Sequence, residues 1–322
     1  MTAPEPSAVV RIAVIGVGHL GRHHARILAS LPHVELVGVA DTNRARADAV
    51  ARTVGTQAVA QASDFVDRVD AVTVAVPTAR HDDIARSWLD RGVHVLVEKP
   101  MARTLAEADA MIAAAARARA TLAVGHTERF NPAVMAARPL VRDPRFIEVH
   151  RLGTFPDRSL DIDVVFDLMI HDLDVVLSLV PAEVESIEAV GVPVLTGHVD
   201  IANVRLRFRN GCIANLTASR ISRDRVRKIR FFQPAAYLSI DYAAQKVEAW
   251  RLTQSTGAMP AIEGGEVPVP SDEPLRRELE DFVAAIRERR DPLVTGSQGR
   301  RALALAQQIA DRMDEARALP TS

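Results

Sequence analysis

Five runs of consecutive apolar residues alternate with helical patterns in the first 125 residues of the chain. The predicted strands occupy 9–15, 34–40, 71–76, 93–97 and 122–124, and the predicted helices occupy 20–31, 44–54, 81–91 and a segment that begins after Thr104. Strands that are apolar throughout are usually covered on both faces. Their regular alternation with helices predicts a doubly wound parallel sheet.

A different pattern follows residue 125. Residues 164–180 predict one amphipathic helix. Successive strand-like runs then predict a largely antiparallel sheet, with strands at 187–192, 199–208, 212–219, 225–232, 237–242 and 246–250. The dipeptide Asn210-Gly211 indicates a hairpin turn. Residues 253–274, rich in Gly and Pro, predict a surface loop, and helices at 275–289 and 298–316 close the chain.

A basic run interrupts the second half of the chain. Residues 220–230 contain six Arg or Lys residues, several of which alternate along a predicted strand. Charge on both faces of a strand is typical of a sheet edge, a solvated face or an oligomer contact. We prefer these interpretations to a ligand site.

The composition excludes several classes of protein. The 322 residues include 40 Lys and Arg against 41 Asp and Glu, so a general affinity for nucleic acid is not expected. The single cysteine, Cys212, forms no intrachain disulfide, which fits a reducing compartment. Neither a secretory signal nor a run of about 20 apolar residues is present. We therefore expect a cytoplasmic protein without a membrane span.

A glycine-rich turn follows the first predicted strand and opens a helix. It reads Gly16-Val17-Gly18-His19-Leu20-Gly21, the G-x-G-x-x-G pattern in the context that dinucleotide binding requires. Glycines there permit a tight turn and close approach of the backbone to a pyrophosphate, which the helix N-terminus attracts. Asp41 ends the second strand, where an acidic residue binds ribose hydroxyls and repels a 2′-phosphate. NAD is thus favoured over NADP; the alternative is a turn without a ligand and an Asp that caps a helix.

Two further groups of residues are candidates for proton transfer. Lys99, in Glu98-Lys99-Pro100, follows a strand at its carboxyl end, where open α/β sheets bind ligands, and a desolvated lysine moves protons readily. Asp167 and His171 lie four residues apart in a predicted helix, an arrangement that suits proton transfer to or from an alcohol. The alternatives are a surface lysine and a surface ion pair. A metal site is not expected, because the sequence offers no dense His and Cys cluster.

These motifs, in this order, resemble the glucose–fructose oxidoreductase, inositol dehydrogenase and rhizopine catabolism (Gfo/Idh/MocA) family over nearly the whole chain. The resemblance implies an NAD-binding Rossmann domain at 1–125, with 1–8 as a disordered tail. It also implies a substrate and oligomerisation domain of α+β type at 126–322, built on a large open sheet that is mostly antiparallel. Two arrangements of the final helix are compatible with this expectation: it packs within the second domain, or it packs back on the first. A homodimer or homotetramer through the second sheet is expected.

A narrower resemblance is carried by the segments GHTERFNP at 125–132 and FDLMIHDLD at 166–174. Both are similar to the branch that contains the UDP-N-acetylglucosamine 3-dehydrogenases. The resemblance implies oxidation of the sugar C3 hydroxyl to a ketone, which in some bacteria serves lipid A synthesis. The alternatives are a dehydrogenase of a cyclitol or a free sugar, and a regulator of the same fold that binds NAD without chemistry.

The resemblance assigns roles to individual residues. Lys99 and His171 are the acid/base residues, and Asp167 supports His171 or binds substrate. Arg129 and Arg158 are candidates for the substrate diphosphate, because guanidinium groups bind phosphates in fork geometry. Substrate binding is thus expected from Lys99, Arg129, Arg158, Asp167 and His171. Cofactor binding is expected from Gly16, Gly18, His19, Leu20, Gly21, Asp41, Pro77, Glu98 and Lys99.

Overall fold

The computed structural model describes residues 9–155, 162–253 and 261–317. The predicted N-terminal tail and Arg158 lie outside the described residues. The chain divides into two compact units. The first contains the described residues up to Thr127 together with Leu275–Arg300, and the second contains Glu128–Pro274 and the residues from Arg301 onward.

The first unit is built on a six-stranded parallel sheet with the order β3-β2-β1-β4-β5-β6. Its strands are β1 (Val10–Ile15), β2 (Val34–Ala40), β3 (Gln57–Val59), β4 (Ala71–Val74), β5 (His94–Glu98) and β6 (Leu122–Gly125). Every residue of β4 and β6 is buried, as expected for strands with helices on both faces. The predicted doubly wound parallel sheet is confirmed.

The helices of this unit begin and end where the sequence supplies caps. They are α1 (Gly21–Leu28), α2 (Arg44–Val54), α3 (His81–Leu89), α4 (Leu105–Ala118) and α7 (Pro274–Glu288). The side chain of Asn43 accepts a hydrogen bond from the Arg46 amide at the start of α2, and Thr104 accepts one from the Glu107 amide at the start of α4. Gly55 ends α2 in the left-handed region, with φ +71°.

The second unit is built on an eight-stranded sheet with the order β14-β13-β12-β11-β7-β10-β9-β8. Its strands are β7 (Phe146–Leu152), β8 (Val184–Val192), β9 (Ile201–Phe208), β10 (Ile213–Ser219), β11 (Val226–Gln233), β12 (Ala236–Asp241), β13 (Lys246–Thr253) and β14 (Ala261–Val267). All neighbouring pairs are antiparallel except β7 and β10. The predicted, mostly antiparallel sheet is confirmed.

Helices cover one face of this second sheet. They are α5 (Pro132–Ala137), α6 (Ile170–Leu179) and α8 (Gly296–Arg317), most of which belongs to the second unit. Alternate side chains of β9 and β10, such as Val204 and Leu216, are buried in one core with Ile170 and Ile309. Residues on the opposite face of the sheet remain partly exposed.

Several details differ from the sequence prediction. Strand β14 lies within the segment that was expected to be a loop, where residues 254–260 are outside the described ranges. The basic run does not form a sheet edge, because β11 pairs with β12 on one side and β7 on the other. Arg220, its first member, is 1% exposed. Strand β7 was not predicted, although its apolar residues alternate between two turn signals, Asp143-Pro144 and Gly153.

None of the helices in the described ranges is both long enough and apolar enough to cross a membrane.

Candidate active site

The glycine-rich turn joins β1 to α1 with the geometry that the motif requires. Gly16 has φ +85°, a conformation that favours glycine, and a Cβ there would lie 2.7 Å from the carbonyl oxygen of Ala75. A Cβ on Gly21 would lie 1.8 Å from the carbonyl oxygen of Gly16. A Cβ on Gly18 would point into open space. The backbone is therefore accessible at Gly18 and tightly packed at the other two glycines.

Helix α1 begins without a side-chain cap. Leu20 occupies the N-cap position and has no group that accepts a hydrogen bond from the first turn. An uncapped helix N-terminus carries amide donors and a partial positive charge, which suit a phosphate. His19, next to it, is exposed, and its ring lies 5.9 Å from that of His23. These residues fit a dinucleotide pyrophosphate.

Asp41 lies buried at the carboxyl end of β2. Its carboxylate accepts hydrogen bonds from the Val17 amide at 2.9 Å, the Asn43 amide at 2.8 Å, and Arg46 Nε and Nη2 at 3.0 and 2.8 Å. Burial opposes ionisation, but the bonds from Arg46 and the two amides outweigh it and hold the pKa of Asp41 below its usual value. The carboxylate is therefore ionised at neutral pH and also ties β2 to the glycine-rich turn.

Lys99 follows β5, half-buried, between two tightly held neighbours. Glu98 is buried, and its carboxylate contacts His24 Nε2 at 3.0 Å and accepts a hydrogen bond from the Lys99 amide at 3.2 Å. Gly125 lies against the same carboxylate, since a Cβ there would come within 2.8 Å of it. The Lys99–Pro100 peptide bond is cis. The backbone that carries the Lys99 amine is thus fixed on both sides.

His81 holds the next turn along the sheet. Its ring is 1% exposed, with Nδ1 3.0 Å from the carbonyl oxygen of Pro100 and Nε2 2.9 Å from that of Val76. Pro77, a predicted cofactor-binding residue, directly follows Val76 and is exposed. One buried imidazole therefore links the turn after β4 to the turn after β5. The sequence interpretation missed it, although a histidine that opens a helix beyond a strand end is a visible signal.

Asp167 and His171 lie on one continuous helical segment, as the predicted helix at 164–180 requires, but its first turn is not α-helical. Residues Val165–Met169 form a π-helical turn, and α6 begins at Ile170. Wider turns of this kind are frequent at functional sites. Both Asp167 and His171 are half-buried, whereas α6 itself is buried nearly all round. The predicted amphipathic face is therefore less distinct than the sequence indicated.

A buried charged cluster underlies the start of α6. Arg151 of β7 contacts Asp172 through Nε at 2.6 Å and Nη2 at 3.1 Å, and both of its Nη atoms lie 3.0 Å from Glu128 Oε1. Its guanidinium also lies 5.2 Å above the ring of Tyr242. Burial opposes the charge, but the two carboxylates outweigh it and raise the pKa of Arg151 above its usual value. Residues 128 and 172 belong to the two segments that resemble the narrower branch.

The predicted site residues are distributed over the two units. Lys99 and the predicted cofactor-binding residues belong to the first unit, and Asp167 and His171 to the second. Arg129 is 4% exposed and contacts Asp174 at 3.4 Å, so its guanidinium is directed into the protein and is not displayed for a diphosphate. Arg158 lies outside the described residues. In the described part of the chain, no group of three or more His, Cys, Asp or Glu side chains could hold a metal ion.

Comparison with known proteins identifies the class of protein. Residues 10–126 match the oxidoreductase family with an NAD-binding Rossmann fold, and residues 133–233 match the GFO/IDH/MocA C-terminal domain. The chain belongs to the Gfo/Idh/MocA family of oxidoreductases, which confirms the resemblance and the prediction of an enzyme of this class.

Individual relatives show which members of the family this chain is similar to. UDP-N-acetylglucosamine 3-dehydrogenase from Acidithiobacillus ferrooxidans is 40% identical over 304 residues, which cover 93% of this chain and 96% of that enzyme. A solved structure of the enzyme of that name from this organism has a TM-score of 0.90 at 38% identity, covering 95% of this chain and 98% of the other. Inositol 2-dehydrogenase from Rhizobium meliloti is 27% identical over 92% of this chain and 94% of its own. A levoglucosan dehydrogenase in complex with NADH and levoglucosan shares the fold, with a TM-score of 0.85 at 19% identity over 95% of this chain and 97% of the other.

Proposed function

We propose that this chain is an NAD-dependent dehydrogenase that oxidises the C3 hydroxyl of UDP-N-acetylglucosamine to a ketone. The observation that carries the proposal is the 40% identity to an enzyme of that name across both units of the chain. The first unit then binds NAD, and the second binds the sugar and forms oligomer contacts. As part of the same proposal, an aminotransferase would use the ketone to make a diamino sugar for lipid A, as happens in some bacteria.

The proposed chemistry assigns a role to three side chains of the motifs. NAD, held by the first unit, would supply the hydride acceptor for oxidation of the sugar carbon, and side chains of the protein would take the hydroxyl proton. Either Lys99 or His171 is the immediate base that takes this proton, and Asp167 orients His171 or binds a sugar hydroxyl. General base catalysis of this kind contributes roughly 10²–10⁴-fold to the rate.

The cofactor is held by the first unit. The Gly18 backbone and the uncapped start of α1 would hold the pyrophosphate, and Pro77, Glu98 and Lys99 would complete the cofactor-binding residues. Asp41 is ionised and buried beside the turn, which supports NAD over NADP because a carboxylate repels a 2′-phosphate. Cys212 is buried and unpaired, which supports action in the reducing cytoplasm.

Oligomerisation through the second sheet is part of the same proposal. Phe146, Phe232, Tyr237 and Trp250 stand directly opposite one another on β7, β11, β12 and β13. We call these four residues the aromatic row. Phe232 is 37% exposed and Trp250 41%. Exposed apolar patches of this kind mark protein contacts, and a second copy of the chain is the partner that we propose.

The test is oxidation of UDP-N-acetylglucosamine by the purified protein, followed as NADH formation. We expect turnover with NAD and slower turnover with NADP. In the Lys99→Met variant, kcat falls at least about 10²-fold while the Kd for NAD changes by no more than about threefold. Wild-type turnover in this variant removes Lys99 from the mechanism.

A substrate panel separates the alternatives. The 27% identity to an inositol 2-dehydrogenase makes myo-inositol the first competitor, and free sugars complete the panel. If a cyclitol or a free sugar is oxidised in preference to the nucleotide sugar, that compound is the substrate and the proposed one is wrong. Binding of NAD without turnover of any member favours a regulator that does no chemistry.

A further inference from the structure

Two more arginines lie beside the buried Arg151. Arg227 stands opposite Arg151 in the register of β11 and β7. Arg225 immediately precedes β11, and its Nη2 donates a hydrogen bond to Thr154 Oγ1 at 3.3 Å, just beyond the end of β7. Three guanidinium groups therefore meet where these two strands adjoin, at the end from which the chain proceeds toward Asp167.

The charges of this group do not balance. Among the described residues, the carboxylates near it are those of Glu128 and Asp172, and Arg151 engages both. Within the described ranges, three arginines and two carboxylates leave a net charge of 3 − 2 = +1. Arg223 and Asp224, in the exposed turn before β11, cancel each other.

Arg227 is the member of the group that a ligand can reach. In the described part of the chain, its guanidinium has no hydrogen bond or ion pair, and the residue is exposed, whereas Arg151 is 4% exposed. Desolvation of part of the side chain and, after it, repulsion from Arg151 lower the pKa of Arg227. Because alternate residues of a strand share a face, Arg227 lies on the helix-covered side of the sheet with Ile229. Asp172, the neighbour of His171, lies on this same side of the sheet.

We propose that Arg227, assisted by Arg225, binds a phosphate of the nucleotide sugar and selects phosphorylated over free sugars. This inference rests on the proposed function. A diphosphate requires a guanidinium with unused donors, because arginine binds phosphate oxygens through two parallel N–H groups. Arg129, the earlier candidate, is buried against Asp174 and does not meet that requirement. Arg227 does meet it, and it lies beside the cluster that supports the His171 segment.

The Arg227→Gln variant tests the proposal. For UDP-N-acetylglucosamine we expect KM to rise about 10–100-fold with kcat within about threefold of wild type, since a lost charge-assisted hydrogen bond weakens binding without touching the proton transfer. Any turnover of free N-acetylglucosamine, which has no phosphate, should not change. Arg227→Lys, which keeps the charge but loses the fork, should recover part of the KM effect.

Arg205→Gln is the matched control. Arg205 is an exposed strand arginine of β9 on the opposite face of the same sheet, where its Nη1 contacts Asn215 at 3.1 Å. This variant should keep the wild-type KM. An unchanged KM in Arg227→Gln, or an equal rise in Arg205→Gln, overturns the inference and leaves the proposed function intact.

Calorimetry with UDP alone distinguishes a failure of the proposed function from a failure of the proposed phosphate site. If the wild-type protein does not oxidise the nucleotide sugar, the proposed function fails, but UDP binding that weakens at least about tenfold in Arg227→Gln still supports a phosphate site. If UDP binds equally to both proteins, or to neither, the phosphate site is refuted whatever the activity.

Discussion

His81 shows how one buried side chain fixes two turns that the proposed chemistry uses. Its ring contacts the carbonyl oxygens of Val76 and Pro100, which flank Pro77 and Lys99. We expect His81→Leu to lower kcat about 10–100-fold, since a small displacement of a reacting group is costly. His81→Gln, which retains a donor, should recover part of the loss. Steady-state kinetics at saturating NAD measure both effects.

The control for this prediction is His94→Leu. His94 lies at the opposite end of β5, where its Nδ1 accepts a hydrogen bond from the Thr121 amide at 2.9 Å. Burial lowers the pKa of both histidines, so their environments are comparable. The control should lose stability in a thermal melt but keep kcat. An equal fall of kcat in both variants refutes a positioning role for His81.

Arg46 is the residue that tests the choice of cofactor. It shields the Asp41 carboxylate through two hydrogen bonds and is half-exposed, so it is also available to a 2′-phosphate. We expect Arg46→Ala to lower kcat/KM for NADP at least about tenfold, because the bare carboxylate repels that phosphate, while kcat/KM for NAD stays within about threefold. Arg44→Ala is the control, since Arg44 pairs with Asp48 instead. Improved use of NADP by Arg46→Ala contradicts the prediction.

Single residues were predictable where their signal is local. The glycine turn, Asp41, Lys99, Asp167 and His171 each stand at a fixed offset from a strand or helix boundary, so sequence alone selects them as candidates. Arg151 has no such offset. Its partners lie 21 and 23 residues away, and only the pairing of β7 within the sheet brings them together. For the same reason the burial of Arg129 could not be predicted.

Asp200 and Arg220 together organise the segment that leads into the π-helical turn. Asp200 accepts hydrogen bonds from the amides of residues 194–196 at 2.6–2.9 Å and from Arg220 Nε at 2.8 Å. Arg220 also donates to the carbonyl oxygen of Ile162 at 2.9 Å. Burial opposes ionisation of Asp200, but the amides and Arg220 outweigh it and hold its pKa well below the usual range. The pair thus anchors the chain just before Asp167.

We expect Asp200→Asn to lower the free energy of unfolding by about 3–5 kcal/mol at pH 7, because Arg220 is then a buried charge without a partner. Since the pKa of Asp200 is lower in the folded than in the unfolded state, its contribution is fully present above about pH 4 and is lost as the pH falls further. The difference between wild type and variant should therefore be constant from about pH 7 to 5 and narrow toward pH 3. Urea unfolding at these pH values measures it.

The control is Asp48→Asn, which breaks an exposed pair with Arg44 on one helix and should cost no more than about 0.5 kcal/mol. A comparable cost in the two variants, or a gap that widens in acid, contradicts the assignment.

Whole elements were predictable to different degrees. The strands of the first unit are continuous apolar runs, so their positions follow from the sequence. The π-helical turn at Val165–Met169 was not predictable, because its residues also satisfy an α-helical pattern. Strand β14 contains Gly264 and Gly265, with φ +150° and +147°, and glycine pairs normally indicate a loop. Pairing with β13 overrides that local preference.

At the scale of the whole molecule, strand order is the least local property. The first sheet follows the common βαβ pattern, so the alternation of elements specifies it. In the second sheet, β7 lies between β11 and β10, far from its sequence neighbours. That insertion makes the one parallel pair and also aligns the residues of the aromatic row across four strands. A sequence pattern gives no such long-range register.

The aromatic row provides the last prediction, on the assembly of the protein. Phe146 and Phe232 stack with ring centroids 5.4 Å apart, and Phe232 lies 5.3 Å from Tyr237, so three of the four rings form a continuous strip. A two-fold contact uses the same patch on both copies. A negative charge in its centre would therefore be buried next to the identical charge of the second copy. We expect wild-type protein to be a dimer or tetramer and Phe232→Glu to dissociate it, as measured by light scattering after gel filtration. Val9→Glu, a substitution at an equally apolar, 52% exposed residue of the first unit, should leave assembly unchanged. A monomeric wild type, or a Phe232→Glu variant of unchanged mass, refutes assembly through this face.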